Sequence, residues 1–303
     1  MPLVAVTQPV PVNPSGGFDY IAVDSQRGRV YAAHPGGGGL LVADADTGNQ
    51  IGEIIPVGPM AGVAVDPATG HVYTGNGSAR SVSEVDPDSA QILRTVVVDG
   101  PVDAIAYDAD LGRIYADEDD GTRIFVIDAK TFTQIATVHL PGHKPEYIQI
   151  DPQTHDVYQN IATDNEIAVI DPHTFKVKRI IPTPQIANNH PLQYDARDHA
   201  LIVSGENNVL TIYDRSGKLL HQVANPEHVD QCSWDETHNW IACAGGGITL
   251  FSFDGKSAPV LLDDQHIGEH VHNTAIDPKT GTIWVVWGNH TDGTAYIQGF
   301  TYR

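Results

Sequence analysis

One phrase recurs seven times along this chain and constrains its fold more than any other feature. It runs as a short apolar stretch, an aspartate, a turn, and a second apolar stretch. It reads IAVDSQRGRVY up to Tyr31, VAVDPATGHVY up to Tyr73, IAYDADLGRIY up to Tyr115 and IQIDPQTHDVY up to Tyr158. Looser copies follow as LQYDARDHALI, CSWDETHNWIA and TAIDPKTGTIW. The anchoring residues are Asp24, Asp66, Asp108, Asp151, Asp195, Asp235 and Asp277, spaced 42, 42, 43, 44, 40 and 42 residues apart. A fixed period of that size marks a repeat architecture in which each unit buries its apolar surface against its neighbours.

Each repeat contains four strand-like segments. In the second they are GVAV, HVYTG, SVSEVD and ILRTVVV. Val, Ile and Tyr dominate, polar and apolar residues tend to alternate, and Asp-Pro, Asp-Gly and Gly-Asn punctuate the turns. No window carries sustained helical periodicity. Four strands per ~40–45-residue unit is the pattern of a propeller blade. The expected fold is therefore all-β: one seven-bladed β-propeller over residues 1–303, with four antiparallel strands per blade. The last repeat supplies only three strands, near His272–Ile276, Gly281–Trp287 and Ala295–Tyr302, while Leu3–Val10 is a spare strand at the other end. The N-terminal strand should complete the last blade and close the ring, which removes two sheet edges.

The wording of the repeats is also distinctive. The segments VAVDPATGHVYTGN, SVSEVDPDSAQILRTVVV, RIFVIDAKTFTQIATV and EIAVIDPHTFKVKRII resemble the YVTN-repeat family of seven-bladed propellers, over roughly Phe18–Pro182. That resemblance implies the propeller fold. Related propellers include lactonases and many secreted or surface proteins, so it implies function only loosely.

Composition narrows the partners. The formal net charge is -21, from 38 acidic against 17 basic side chains. Phosphate backbones and anionic membrane surfaces attract the opposite sign, so neither nucleic acid nor membrane is an expected partner. The field favours cations and small neutral or cationic molecules. The N-terminal segment has no basic n-region and no continuous apolar h-region, so a periplasmic or secreted location would require a leader removed beforehand. Cys232 and Cys243 match no zinc spacing. They could face each other across one hairpin, which leaves a disulfide and two buried thiols both open, the thiols being the simpler reading. A closed ring needs no partner subunit, so a monomer is expected.

Functional candidates follow from the geometry of a blade, whose first strand lines the central channel. The aspartate turns fall on the lower face, where Asp66, Asp108, Asp151, His71, His155, His173 and His238 read as turn residues. Five positions before each anchor lies the start of an inner strand, on the upper face. Those residues are Asp19, Ala61, Asp103, Glu146, His190, Asp230 and His272. Six of them ionise and should ring the channel mouth. Carboxylates with imidazoles suit a divalent cation, and zinc, manganese, iron or nickel better than calcium. Glu146, His190 and His272 are the preferred ligands, with Asp103, Asp230 and Asp19 as further ligands or supports. His228 and His270, which share a Glu-His-Val phrase, would act as general acid and base, and Lys144 would stabilise an oxyanion. The upper loops between second and third strands supply His34, Asn76, Glu118, Asn160 and His290, with Trp287 beside them, as substrate contacts.

These parts lead to an expected metal-dependent hydrolase, lactonase- or esterase-like, acting on a small organic substrate at the top of the channel. A metal-dependent lyase or isomerase would use the same site. A non-catalytic binding propeller would instead need an exposed apolar patch, and the loops offer only scattered aromatics such as Phe132 and Phe175. No P-loop and no GxSxG nucleophile elbow is present.

Overall fold

A computed structural model describes residues 2–226, 229–267, 271–288 and 293–303. Within them the chain forms seven sheets arranged as the blades of a propeller, with two short 3-10 turns and no α-helix. Blades two to six are four-stranded antiparallel sheets in chain order. Blade two, for example, runs through Val63–Val65, Val72–Asn76, Ser81–Asp86 and Gln91–Val97. In blade one the fourth place is taken by an irregular stretch that bridges the third strand at Gln50 and Ile55. Each inner strand touches the next, through all seven blades and back to the first.

The N-terminus closes the ring as expected. Leu3–Ala5 and Val10–Val12 both pair antiparallel with Ala295–Tyr302 of blade seven, with Leu3 opposite Tyr302 and Val10 opposite Ile297. Gln298 Nε2 adds a bond of 3.0 Å to the Thr7 carbonyl.

The middle strands of each blade do not alternate in burial. Val72–Asn76 and Ala200–Gly205 are buried at every position. A neighbouring blade covers each face of the sheet, so both faces are core and the strands read as near-continuous apolar runs. Alternation survives in outer strands, as in Leu219–Ala224, where one face meets solvent.

The seven anchoring aspartates hold their own turns. Each accepts backbone N–H bonds from residues two or three positions on, such as Gln26 on Asp24, Ala68 on Asp66, Gln153 on Asp151 and Lys279 on Asp277. The rest are Leu111 on Asp108, Arg197 on Asp195 and Thr237 on Asp235. The same face carries links between blades. Ser25 bonds Asp277, His155 lies 2.9 Å from Asp108, and Tyr194 donates to Asp151 at 2.8 Å. Arg94 pairs with Glu84 and donates to the Ala129 and Lys130 carbonyls of the next blade, at 3.0 and 2.8 Å. Its guanidinium lies over the Phe132 ring, and Arg113 covers Phe175 in the same way. Neither ring is therefore the bare surface aromatic that its place in a turn suggests.

Cys232 and Cys243 stand directly opposite each other on the first two strands of blade six and form a disulfide. The simpler reading of two free thiols is corrected: direct cross-strand opposition brings the two sulfurs together.

Candidate functional site

The upper mouth of the channel is a cup of about 330 Å³. Asp19, Asp103, Glu146, His190, Asp230 and His272 all line it, one from each of six blades. Local backbone explains the convergence. In blades three, four and five the register slips between Val102 and Ile105, Pro145 and Ile148, and Asn189 and Leu192. Each slip is a β-bulge at the ring position, and a bulge re-aims the side chains beside it. The residue after the ring position also lines the cup in four blades: Tyr147 beside the bulge of blade four, and Tyr20, Gln231 and Asn273 at the entry to the inner strands of blades one, six and seven, whose pairings carry no slip. Ala61, the ring position of blade two, contributes no lining.

Two imidazole–carboxylate pairs stand across the cup. His190 Nε2 lies 3.2 Å from Glu146 Oε1, and His272 Nδ1 lies 3.6 Å from Asp230 Oδ2. Lys144 Nζ also reaches Glu146, at 3.3 Å. Lys144 has a left-handed backbone (φ 59°), an uncommon conformation for a side chain without local hydrogen bonding to offer. It is held by bonds from its N–H to the Gly121 carbonyl and from the Ala162 N–H to its own carbonyl. His190 is held by Asn188, whose carbonyl lies 3.1 Å from Nδ1.

Electrostatics in the cup are strained. Burial, then the negative charges of Asp230, Glu146 and Asp119, push Asp19 up from 3.8 to about 7. Burial and Asp19 hold Asp103 well above the usual carboxylate range. Burial also raises Glu146, opposed by His190 and Lys144. The hydrogen bond to Asp230 raises His272.

Several contributors lie outside the expected set. Asp119 lines the cup, and burial raises its carboxyl. Asp117 is fully buried behind it, accepting from the Ala104 N–H at 2.7 Å and from Gln159 Nε2 at 2.9 Å. Both belong to the acidic run Asp117–Asp120, from which only Glu118 was singled out. Strand alternation within Arg113–Glu118 turns Glu118 away from Asp117, and Asp119 opens the turn beyond the strand. Parity along the strand points to Asp117 alone.

The expected substrate contacts mostly serve the scaffold. His34 is buried, with ring nitrogens 2.9 Å from the Gly17 carbonyl and 2.7 Å from the Pro14 carbonyl. It stacks behind Phe18, which does line the cup. Asn76 is buried and donates to Ser81 and Ser83. Glu118 grips Arg123 and the Thr122 N–H. Asn160 donates to the His190 carbonyl at 2.8 Å and the Pro191 carbonyl at 3.1 Å, so it positions a cup residue from behind. Trp287 is buried against Tyr296. None of these five lines the cup. His228, His270 and His290 lie outside the described residues.

Imidazole and carboxylate are a suitable donor set for a borderline divalent cation. As positioned they form two pairs. Among the described residues no three histidine, cysteine, aspartate or glutamate side chains converge closely enough to hold a metal ion.

Below the cup lies a second chamber of about 190 Å³, and Tyr20 and Tyr147 line both. The Tyr20 hydroxyl donates to the Glu146 carbonyl, and Tyr147 hydrogen-bonds Gln193.

No family model matches this sequence, and no curated protein does. Solved structures do match. Kuenenia stuttgartiensis hydrazine synthase superposes with a TM-score of 0.82 at 15% identity, over 94% of this chain and 96% of that one. A chain of the mitotic checkpoint complex gives 0.81 at 14% identity, over 97% and 91%. The RRP9 WD40 repeats give 0.82 at 9% identity, over 98% and 99%. The fold is a seven-bladed, WD40-like β-propeller. At such identities the likeness concerns the fold alone.

Proposed function

We propose that this propeller is a hydrolase for a small organic ester or lactone, working at the upper mouth of its channel and akin to the lactonase-like, YVTN-repeat propellers. The observation that carries the reading is the convergence of six ionisable residues from six blades on one cavity of substrate size. A packed or merely solvated channel has no need of two imidazole–carboxylate pairs lining one cavity. In this reading the His190–Glu146 pair activates water. Lys144, beside Glu146, stabilises the oxyanion that forms when water adds to the carbonyl. The acyl–oxygen bond then breaks to give a carboxylic acid and an alcohol.

A divalent cation is the cofactor proposed from the sequence. It would have to draw Glu146 away from Lys144 and His190. Elemental analysis of protein purified without chelator, with melting temperatures in added zinc, manganese or nickel, tests it. No bound metal and no rise would exclude it.

The hydrolase reading itself is tested with a panel of short esters and lactones, comparing the wild type with Glu146→Gln. Loss of turnover with an unchanged melting profile supports it. Turnover unaffected by the substitution would remove the cup from the reaction.

A further inference from the structure

We infer that the ligand of this propeller is a short amphipathic cation, with an ammonium head in the acidic cup and an unbranched apolar arm passing Tyr20 and Tyr147 into the chamber below. The inference rests on the reading of the cup as the ligand site, and in the hydrolase reading the substrate is an ester or lactone that carries this ammonium head and apolar arm.

Three observations carry it. First, the two cavities lie in series along the axis, since Tyr20 and Tyr147 form a wall of each. Second, the side chains change from acidic to mostly aliphatic across that wall. Above stand Asp19, Asp103, Asp119, Glu146 and Asp230. Below stand Ile21, Ala22, Val63, Ala104, Ile105, Ala106 and Ile148, with Gln149 the one polar side chain besides the shared tyrosines. Third, Asn273 lines the cup at 1% exposure, and its Oδ1 accepts no hydrogen bond. An unspent buried acceptor is costly, and a ligand N–H would satisfy it. This last point is independent of the acidic side chains, and it asks for a donor rather than for charge alone.

The collar fits the same head group. Phe18, Tyr20 and Tyr147 present aromatic surface around the carboxylates, and ring faces attract ammonium. The net charge of -21 would draw such a ligand toward the protein. The lower chamber limits the arm. At roughly 30 Å³ for each water-sized group, it holds about six methylenes.

The test is calorimetric titration of the full chain with n-alkylammonium chlorides from ethyl to octyl, at low salt. Affinity should rise about fourfold per methylene as each is buried, then level off near six carbons. Hexanoate, with the same arm and the opposite charge, should not bind. Ala106→Leu narrows the chamber and should abolish the dependence on length while leaving ethylammonium affinity in place. Asn273→Ala, which leaves the chamber intact, should weaken every member of the series by the same factor. Affinity that does not change with length, hexanoate binding as tightly as hexylammonium, or no binding of any member would overturn the inference. These outcomes separate from the hydrolase reading. Ester turnover without alkylammonium binding sinks only the ligand class, and graded binding without turnover of any ester sinks only the reaction.

Discussion

Replacing Asp19 by asparagine should stabilise the protein at alkaline pH. Asp19 shares the cup with Asp103, Asp119, Glu146 and Asp230, and burial with that crowding raises its carboxyl from 3.8 to about 7. A folded-state value above the unfolded one means that folding favours the neutral form. That stabilisation is complete below pH 3.8 and is lost as pH rises through about 7. At about 1.4 kcal/mol per pH unit, the upper bound on the loss is about 4 kcal/mol. Asp19 is only partly shielded from solvent and shares its repulsion with Asp230 and Glu146. A cost of about 2 kcal/mol is therefore the working figure, or about 4 °C in melting temperature for a domain of this size. The assay is urea denaturation of the wild type and Asp19→Asn at pH 4, 6 and 8.5. The two curves should nearly coincide at pH 4, with the variant ahead by about 2 kcal/mol at pH 8.5. A variant equal to or weaker than the wild type at pH 8.5 would refute the claim that these carboxylates crowd one shielded site.

Three further perturbations test the scaffold. Arg94→Ala removes the Glu84 pair, two inter-blade bonds and the cover over Phe132, and should cost about 1–3 kcal/mol in urea denaturation without changing the m-value. Replacing both Cys232 and Cys243 by serine opens a short covalent loop of sequence separation 11 and should cost about 2–3 kcal/mol; the wild type should show no reactive thiol when unfolded without reductant. Deleting residues 2–12 uncovers the edge of Ala295–Tyr302, and light scattering should detect association that the full chain lacks.

The fold was legible because a period of about 42 residues can be counted, and because a three-stranded last repeat asks for a strand from the other end. The ring at the channel mouth was legible for the same reason: a fixed offset from each Asp anchor gives a fixed height on the axis. What the offset could not give was the second layer. Tyr20, Tyr147 and Asn273 reach the cup beside neighbours that also face it. A strict two-residue alternation forbids that; a bulge permits it at Tyr147, and in blades one and seven the regular strand begins only after the ring position, at Ile21 and Asn273. The upper-loop residues failed for a related reason. His34, Asn76 and Asn160 lie near the ends of middle strands, and middle strands are buried between blades. Polar groups there are spent on backbone and neighbouring side chains instead of on a ligand.

Everything functional depends on side chains from separate blades acting on one bound molecule. The most direct measurement is turnover of a short ester and lactone panel by the wild type and by Glu146→Gln, His190→Gln and Asp230→Asn singly, each matched for melting temperature. At least one substrate should be hydrolysed by the wild type, and all three substitutions, made in three different blades, should depress the same reaction. Full activity in any two of them, or no turnover of any compound by the wild type, would contradict the account.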